Sequence, residues 1–213
     1  MFALPDPGVV PRDPGEQELS LLEGPGRFDW VLFPDILSVE RLGFLAESRG
    51  VDLFQFDSCV ICALGEAVAD QLRFIQLHAD IIPSDLTERS IARSVADYAG
   101  GEPVLGKRTL LVIGSVEEAL PRGLPIGSFG GIETLWLFEL RRGGLQGFAR
   151  EKALFKGGAA DAVFVSSAYD LVLLRVLEQA HGFDVLGSGE EILCADELTK
   201  SALRELGLEA RVV

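Results

Sequence analysis

Apolar positions along this chain fall into two alternating patterns. Short, nearly unbroken apolar runs occur in Phe28–Phe33 (FDWVLF), Cys59–Leu64 (CVICAL), Lys107–Ile113 (KRTLLVI), Thr134–Leu140 (TLWLFEL) and Asp161–Ser167 (DAVFVSS). Runs of this length, rich in Val, Ile and Leu, predict strands buried on both faces. Between them lie stretches with helical spacing. Ile36–Arg49 puts Leu37, Leu42 and Leu45 on one side, and Gly50 follows as a stop. A second helix is expected from the Pro83–Glu88 segment to about Ala99, closed by Gly100-Gly101, and a third over Ala168–Gln179. Residues 1–27, rich in Pro and Gly, are expected to be extended or irregular, and Val51–Phe54 is expected as a short extended piece.

The stretch Cys59–Pro83 is the clearest single unit. It reads as strand, tight turn, helix, strand. Gly65 permits the turn, Glu66 falls where the first helical turn favours negative charge, and Leu72 and Ile75 belong to a helix face. Ala79–Ile82 is expected as a second strand, stopped by Pro83. The C-terminal ILCADELTKSALRELGLEARVV repeats this pattern at one constant spacing without a gap. Ile61 falls on Ile192, Glu66 on Glu197, Leu72 on Leu203 and Leu77 on Leu208. In the same way Asp161 and Val163 match Asp29 and Val31. A βαβ unit built twice predicts two similar lobes with parallel sheets flanked by helices. A linker is expected near Arg141–Gly144, which gives a first lobe of 1–140 and a second of 141–213. A receiver-like or flavodoxin-like domain would use one such unit, and the repeat argues against it.

Composition narrows the function classes. The 213 residues carry a net charge of −14, which disfavours nucleic acid and anionic membranes as partners. The apolar runs are strand-sized, so no transmembrane helix is expected. The N-terminus lacks a basic start followed by an apolar block, so no signal peptide is expected. Three cysteines do not form a disulfide framework, and a reducing cytoplasm is inferred. Cys59 and Cys62 match C-x-x-C in letters, but positions three apart in a strand face opposite sides, so buried core is expected rather than redox or metal chemistry. Cys194, in the matching strand, receives the same reading. His78 and His181 have no ligand cluster around them.

Ligands of parallel α/β sheets bind beyond the carboxyl ends of the strands. Here those ends are Pro34-Asp35, Gly65-Glu66, Gly114-Ser115, Ser166-Ser167 and Asp196-Glu197. The same positions carry a resemblance. FDWVLFPDILSVERL, CALGEAVADQL, HADIIPSDLTERSIARSVA, GKRTLLVI and DAVFVSSAYDLVLL resemble, in order and spacing across nearly the whole chain, the motifs of the uroporphyrinogen-III synthase family. That resemblance implies two related α/β lobes joined by a two-stranded linker. It implies a hydroxymethylbilane substrate between them, cyclised with inversion of the fourth ring in a lyase reaction needing no cofactor or metal. Carboxylates of the substrate would be held by backbone N–H groups and hydroxyls at the strand ends, which places Gly65, Ser166, Ser167 and Thr199 as substrate-binding residues and leaves catalytic residues unassigned.

The sequence departs from the family pattern at defined places. The family's N-terminal strand and helix are absent, which leaves a sheet edge open in the second lobe and predicts strand addition by a second copy or a partner. The first hydroxyl-bearing strand end reads Phe33-Pro34-Asp35, Val68 stands where a threonine is expected, Asp196 stands for a glycine and Phe138 for a tyrosine. Asp35, Glu66, Asp196 and Glu197 are thus expected to face, and repel, a polyanionic ligand. An alternative follows: a non-catalytic relative that binds a tetrapyrrole or a partner protein. Arg141, Arg142 and Arg150 are expected as solvated surface near the linker, and are the first residues to test as a basic patch if an anionic tetrapyrrole binds. Ser166-Ser167 has no histidine in a triad motif; substrate hydrogen bonding, or a helix cap at Ser167, remain as its readings.

Overall fold

Unbroken apolar runs need cover on both faces, and the amphipathic stretches between them supply it. The computed structural model describes residues 9–85, 87–117, 120, 124–140, 153, 160–166, 170–171, 174, 185–186, 189–205 and 207–213. The chain divides into two compact units, Pro11–Phe138 and Met1–Val10 with Glu139–Val213. Numbered along the chain, the described elements are β1 (Val9–Pro11), α1 (Glu16–Glu23), β2 (Trp30–Phe33), α2 (Ile36–Arg49), β3 (Val60–Ala63), α3 (Glu66–Phe74), α4 (Glu88–Ala99), α5 (Glu102–Leu105), β4 (Thr109–Gly114), β5 (Gly131–Trp136), β6 (Phe138–Leu140), β7 (Ala162–Val165), β8 (Glu191–Cys194), α6 (Glu197–Glu205) and β9 (Ala210–Val212). The expected helix over Ala168–Gln179, the linker at Arg141–Gly144 and the three arginines Arg141, Arg142 and Arg150 lie wholly or largely outside the described residues, as do Ser167 and His181.

In Pro11–Phe138 a four-stranded sheet runs β3-β2-β4-β5, all parallel. Strand alternation sends Val31, Phe33, Ile61, Leu111 and Ile113 into a core shared with Leu42 and Leu45 of α2 and Leu72 of α3. It sends Trp30, Leu32, Cys62, Leu110 and Val112 into a second core with Ile91 and Val95 of α4. Trp30 anchors that side, meeting Tyr98 and Phe129 edge-on at centroid distances of 5.8 and 5.7 Å. Cys59 and Cys62 fall in opposite cores, and neither forms a disulfide. Burial pushes the Cys62 thiol up to about 12, so it stays protonated and unreactive.

Four local expectations are corrected. Residues 16–23 form α1 rather than irregular chain: Pro14, Gly15, Gly24 and Pro25 flank it, Glu18 accepts from the Gly15 N–H at 3.0 Å and pairs with Arg12, and Leu21 and Leu22 are buried. Leu53–Ser58 is a 3-10 helix, not extended, because the Asp52 carboxylate accepts from the Phe54 N–H at 3.0 Å. Ala79–Ile82 makes a single bridge, Cys62 to Ile81, instead of a strand. Asp80 interrupts the ladder, its carboxylate accepting from the Ile61 N–H at 2.7 Å. The run Thr134–Leu140 splits at Leu137: β5 pairs with β4, whereas β6 pairs with β1 in a two-stranded sheet.

The other unit holds a parallel sheet ordered β7-β8-β9. Its β7, β8 and α6 have the lengths of β2, β3 and α3. Trp30 faces Val60 in one sheet, and Ala162 faces Glu191 in the other. Both helices end alike. Leu77 N–H donates to the Leu72 carbonyl at 3.0 Å and Leu208 N–H to that of Leu203 at 3.1 Å, across the positive-φ residues Gln76 and Gly207. Left-handed backbone favours Gly at this point, so Gln76 carries a small conformational cost that Gly207 does not.

Candidate functional site

Strand order fixes where the larger unit can bind. From β2 the chain passes through α2 to β3 on one side, then crosses back to β4 on the other. Beyond the carboxyl ends of β2 and β4 the connections diverge, and such a point opens a crevice in parallel sheets. Asp35 follows β2 there, and Ser115 follows β4. The two are joined: the Ser115 N–H and hydroxyl donate to Asp35 Oδ2 at 3.0 and 2.9 Å. Asp35 Oδ1 accepts from the Ser38 N–H at 2.8 Å, and the Ser38 hydroxyl donates to the Asp35 carbonyl at 2.7 Å.

Asp35 is therefore the N-cap of α2 and a clamp between the ends of β2 and β4, only 2% exposed. Burial raises its carboxyl above the ordinary aspartate range, against the pull of the Ser115 and Ser38 donors. The expectation that Asp35 faces an anionic ligand is corrected: the carboxylate turns inward and its acceptor sites are occupied by protein donors. Ser115 stands among the expected strand ends but had no role assigned to it; its role is to hold Asp35. Its signal was its place directly after the buried strand β4.

Gly65 lies after β3 and is the N-cap of α3, at φ 108° and ψ 159°. A side chain at that φ would be strained. The consequence is a helix start with no side-chain cap. Asp35 caps α2 and Thr87 caps α4, but α3 leaves its first N–H groups without a side-chain acceptor. Glu66 is exposed in this first turn, and Val68, where a threonine was expected, is buried in the core. Gly114, at the end of β4, is required by packing: a Cβ there would lie 2.3 Å from the Trp136 ring.

In the smaller unit, Ser166 ends β7 and Thr199 sits in the first turn of α6, directly after β8. These strands are neighbours, so both residues lie at the carboxyl edge of one sheet. Ser166 is exposed, and its N–H and hydroxyl both donate to Asp170. Thr199 is fully buried; its N–H donates to Asp196 Oδ1 at 2.6 Å, while its hydroxyl oxygen makes no hydrogen bond with any described atom. A buried hydroxyl without a partner costs on the order of 1–3 kcal/mol, so its presence calls for a role.

Three solved structures share this architecture. A mutant uroporphyrinogen III synthase from Thermus thermophilus aligns over 97% of this chain and 81% of its own, with a TM-score of 0.61 and 17% identity. The chain has the uroporphyrinogen III synthase fold. Two further Thermus thermophilus uroporphyrinogen III synthase structures align with TM-scores of 0.56 and 0.54, each at 20% identity, over 96% and 93% of this chain and 79% and 74% of theirs. No protein-family model matches the sequence, and no curated protein does so.

Within this uroporphyrinogen III synthase fold the electrostatics are set by pairing. Arg27 bonds Glu133 at 3.0 Å, Arg49 bonds Asp13 at 2.9 Å and Arg108 bonds Asp29 at 2.9 Å. Burial tends to raise the Asp29 carboxyl, but the Thr109 N–H and hydroxyl and the Arg108 guanidinium outweigh it and hold it below the ordinary range. Among the described residues no group of three His, Cys, Asp or Glu is placed to hold a metal ion, and no described helix is long and apolar enough to cross a membrane.

Proposed function

We propose that this protein binds a linear tetrapyrrole and cyclises it as a uroporphyrinogen III synthase does. The reaction takes hydroxymethylbilane, expels its terminal hydroxyl as water, inverts the fourth pyrrole ring and closes the macrocycle. The observation that carries this reading is the buried Thr199 hydroxyl at the start of α6, without a hydrogen-bond partner among the described residues, in a chain that aligns with that fold over nearly its whole length. A ligand acceptor would satisfy this donor once the chain covering Thr199 moves aside to admit it.

In this reading the substrate is held at strand ends. Thr199 donates its hydroxyl to a substrate carboxylate, and the uncapped first turn of α3, opened by Gly65, offers backbone N–H groups to another. Ser166 contributes once Asp170 releases it, and Ser167 stands beside it in sequence. The lobes of the proposal are 1–140 and 141–213, each carrying one copy of the duplicated strand–helix unit. Asp35, engaged by Ser115 and Ser38, adds no exposed charge to oppose the ligand. Glu66, Asp196 and Glu197 are exposed and do oppose it. They favour a second reading, a relative that binds a tetrapyrrole without turning it over.

A coupled assay with porphobilinogen deaminase tests the proposal. Activity yields the type III isomer above the uncatalysed type I background, and Thr199→Val removes that excess. Type I product alone, together with quenching of protein fluorescence by uroporphyrin, selects the second reading. Type I product with no quenching rejects both.

A further inference from the structure

On the helical face of the larger unit, the C-terminal halves of α2 and α3 and the 3-10 turn Leu53–Ser58 enclose a groove of about 630 Å³. It lies at the end of these helices opposite their N-termini, and hence away from the strand ends described above. Its floor is tight: α2 at Gly43 approaches the residue that ends α3, and a Cβ there would sit 2.8 Å from Ile75 Cγ2. Its walls carry Phe44, Phe54 and Phe74, which are 55%, 71% and 81% exposed. Taking ~200 Å² for each aromatic side chain, they leave roughly 400 Å² of apolar surface in water, the scale of a functional patch.

The groove's charge is one-sided. Glu40, Glu47 and Asp52 line it, with no lysine or arginine among its lining residues. The nearby Arg41 guanidinium stacks 4.8 Å above the Phe44 ring and is engaged by Asp13 and the Arg12 carbonyl. We propose that this groove docks an amphipathic helix of a partner protein, with apolar side chains at i, i+4 and i+7 seated among the three phenylalanines and flanking lysines or arginines paired with the three carboxylates. The spacing is that of an apolar helix face lying in a groove, and the carboxylates select a basic helix. A second copy of the chain is a poor occupant: a two-fold contact through this face would set carboxylates against carboxylates between molecules that each carry −14.

The probe is a fluorescein-labelled synthetic peptide of about 18 residues, helical at 1.5 Å per residue, with leucines at that spacing and lysines beside them; its control replaces lysine by glutamate. Anisotropy titration of the full-length protein is expected to give micromolar binding of the basic peptide, weakening with salt, and none of the acidic control. Phe54→Ser with Phe74→Ser, and separately Glu47→Lys, are each expected to weaken binding at least tenfold. These side chains are exposed, so circular dichroism and melting of the variants should match the parent. Absence of binding, equal binding of both peptides, or binding unaffected by the phenylalanine substitutions overturns the proposal. So does a parent dimer, by light scattering, that the phenylalanine substitutions dissociate.

Discussion

Asp35 ties the ends of β2 and β4 to the first turn of α2. Read along the chain, it replaces a hydroxyl donor at a strand end and adds a repelling charge. In the fold it accepts three hydrogen bonds from buried donors and none of its charge faces outward. Asp35→Ala leaves those donors unpaired and is expected to lower stability by about 3 kcal/mol or more in urea unfolding. The pH dependence has a definite sign. Because its folded-state pKa is raised, the contribution of Asp35 is complete below the ordinary aspartate pKa and lost as pH climbs through the raised value; the stability of the parent relative to Asp35→Asn should fall across that window. Asp29, whose pKa is lowered, behaves oppositely. Its contribution is complete above the ordinary value and lost as pH drops through the depressed one, so the parent loses stability relative to Asp29→Asn on acidification. Thr199 gives the complementary case. Thr199→Val removes an unpaired buried hydroxyl at nearly constant volume and should leave the protein as stable as before, or up to about 1 kcal/mol more so, while weakening tetrapyrrole binding.

At the level of elements, most of the architecture was legible because periodicity and punctuation agree. The bounds of α2 were read from Leu42 and Leu45 and from Gly50, which takes the left-handed conformation its place demands. The helix after Gly65 and the strands β2, β3 and β4 followed from apolar runs that need cover on both faces. What escaped notice depended on side chains acting at a distance or across a turn. Glu18 and Arg12 define α1 inside a stretch that composition marks as irregular, and Asp80 takes the Ile61 N–H and so shortens a strand to one bridge. Of the candidate site, Gly65 and Thr199 could be placed from sequence at strand ends. The Ser115–Asp35 clamp could not, since its partners lie far apart in sequence and meet only when β2 and β4 pair. Packing at the end of β4 yields a direct test. Gly114→Ala drives a methyl into the Trp136 ring and toward Pro34, and should cost about 1–3 kcal/mol by forced repacking, with a changed tryptophan emission spectrum.

For the whole molecule, two facts pull against each other: a fold shared with uroporphyrinogen III synthase structures, and a net charge of −14 that opposes a polyanionic ligand. Local donors must outweigh that field, so tetrapyrrole affinity should rise with ionic strength as like-charge repulsion is screened. Binding of a basic helix in the phenylalanine groove should instead fall. In the proposed function, Thr199 at the start of α6 donates to a tetrapyrrole held for cyclisation. The most direct measurement of this is the isomer composition of porphyrin formed from hydroxymethylbilane by the parent and by Thr199→Val, compared with a no-protein control. Type III product is expected from the parent, sharply reduced in the variant. Indistinguishable type I product from all three samples would contradict the proposed function.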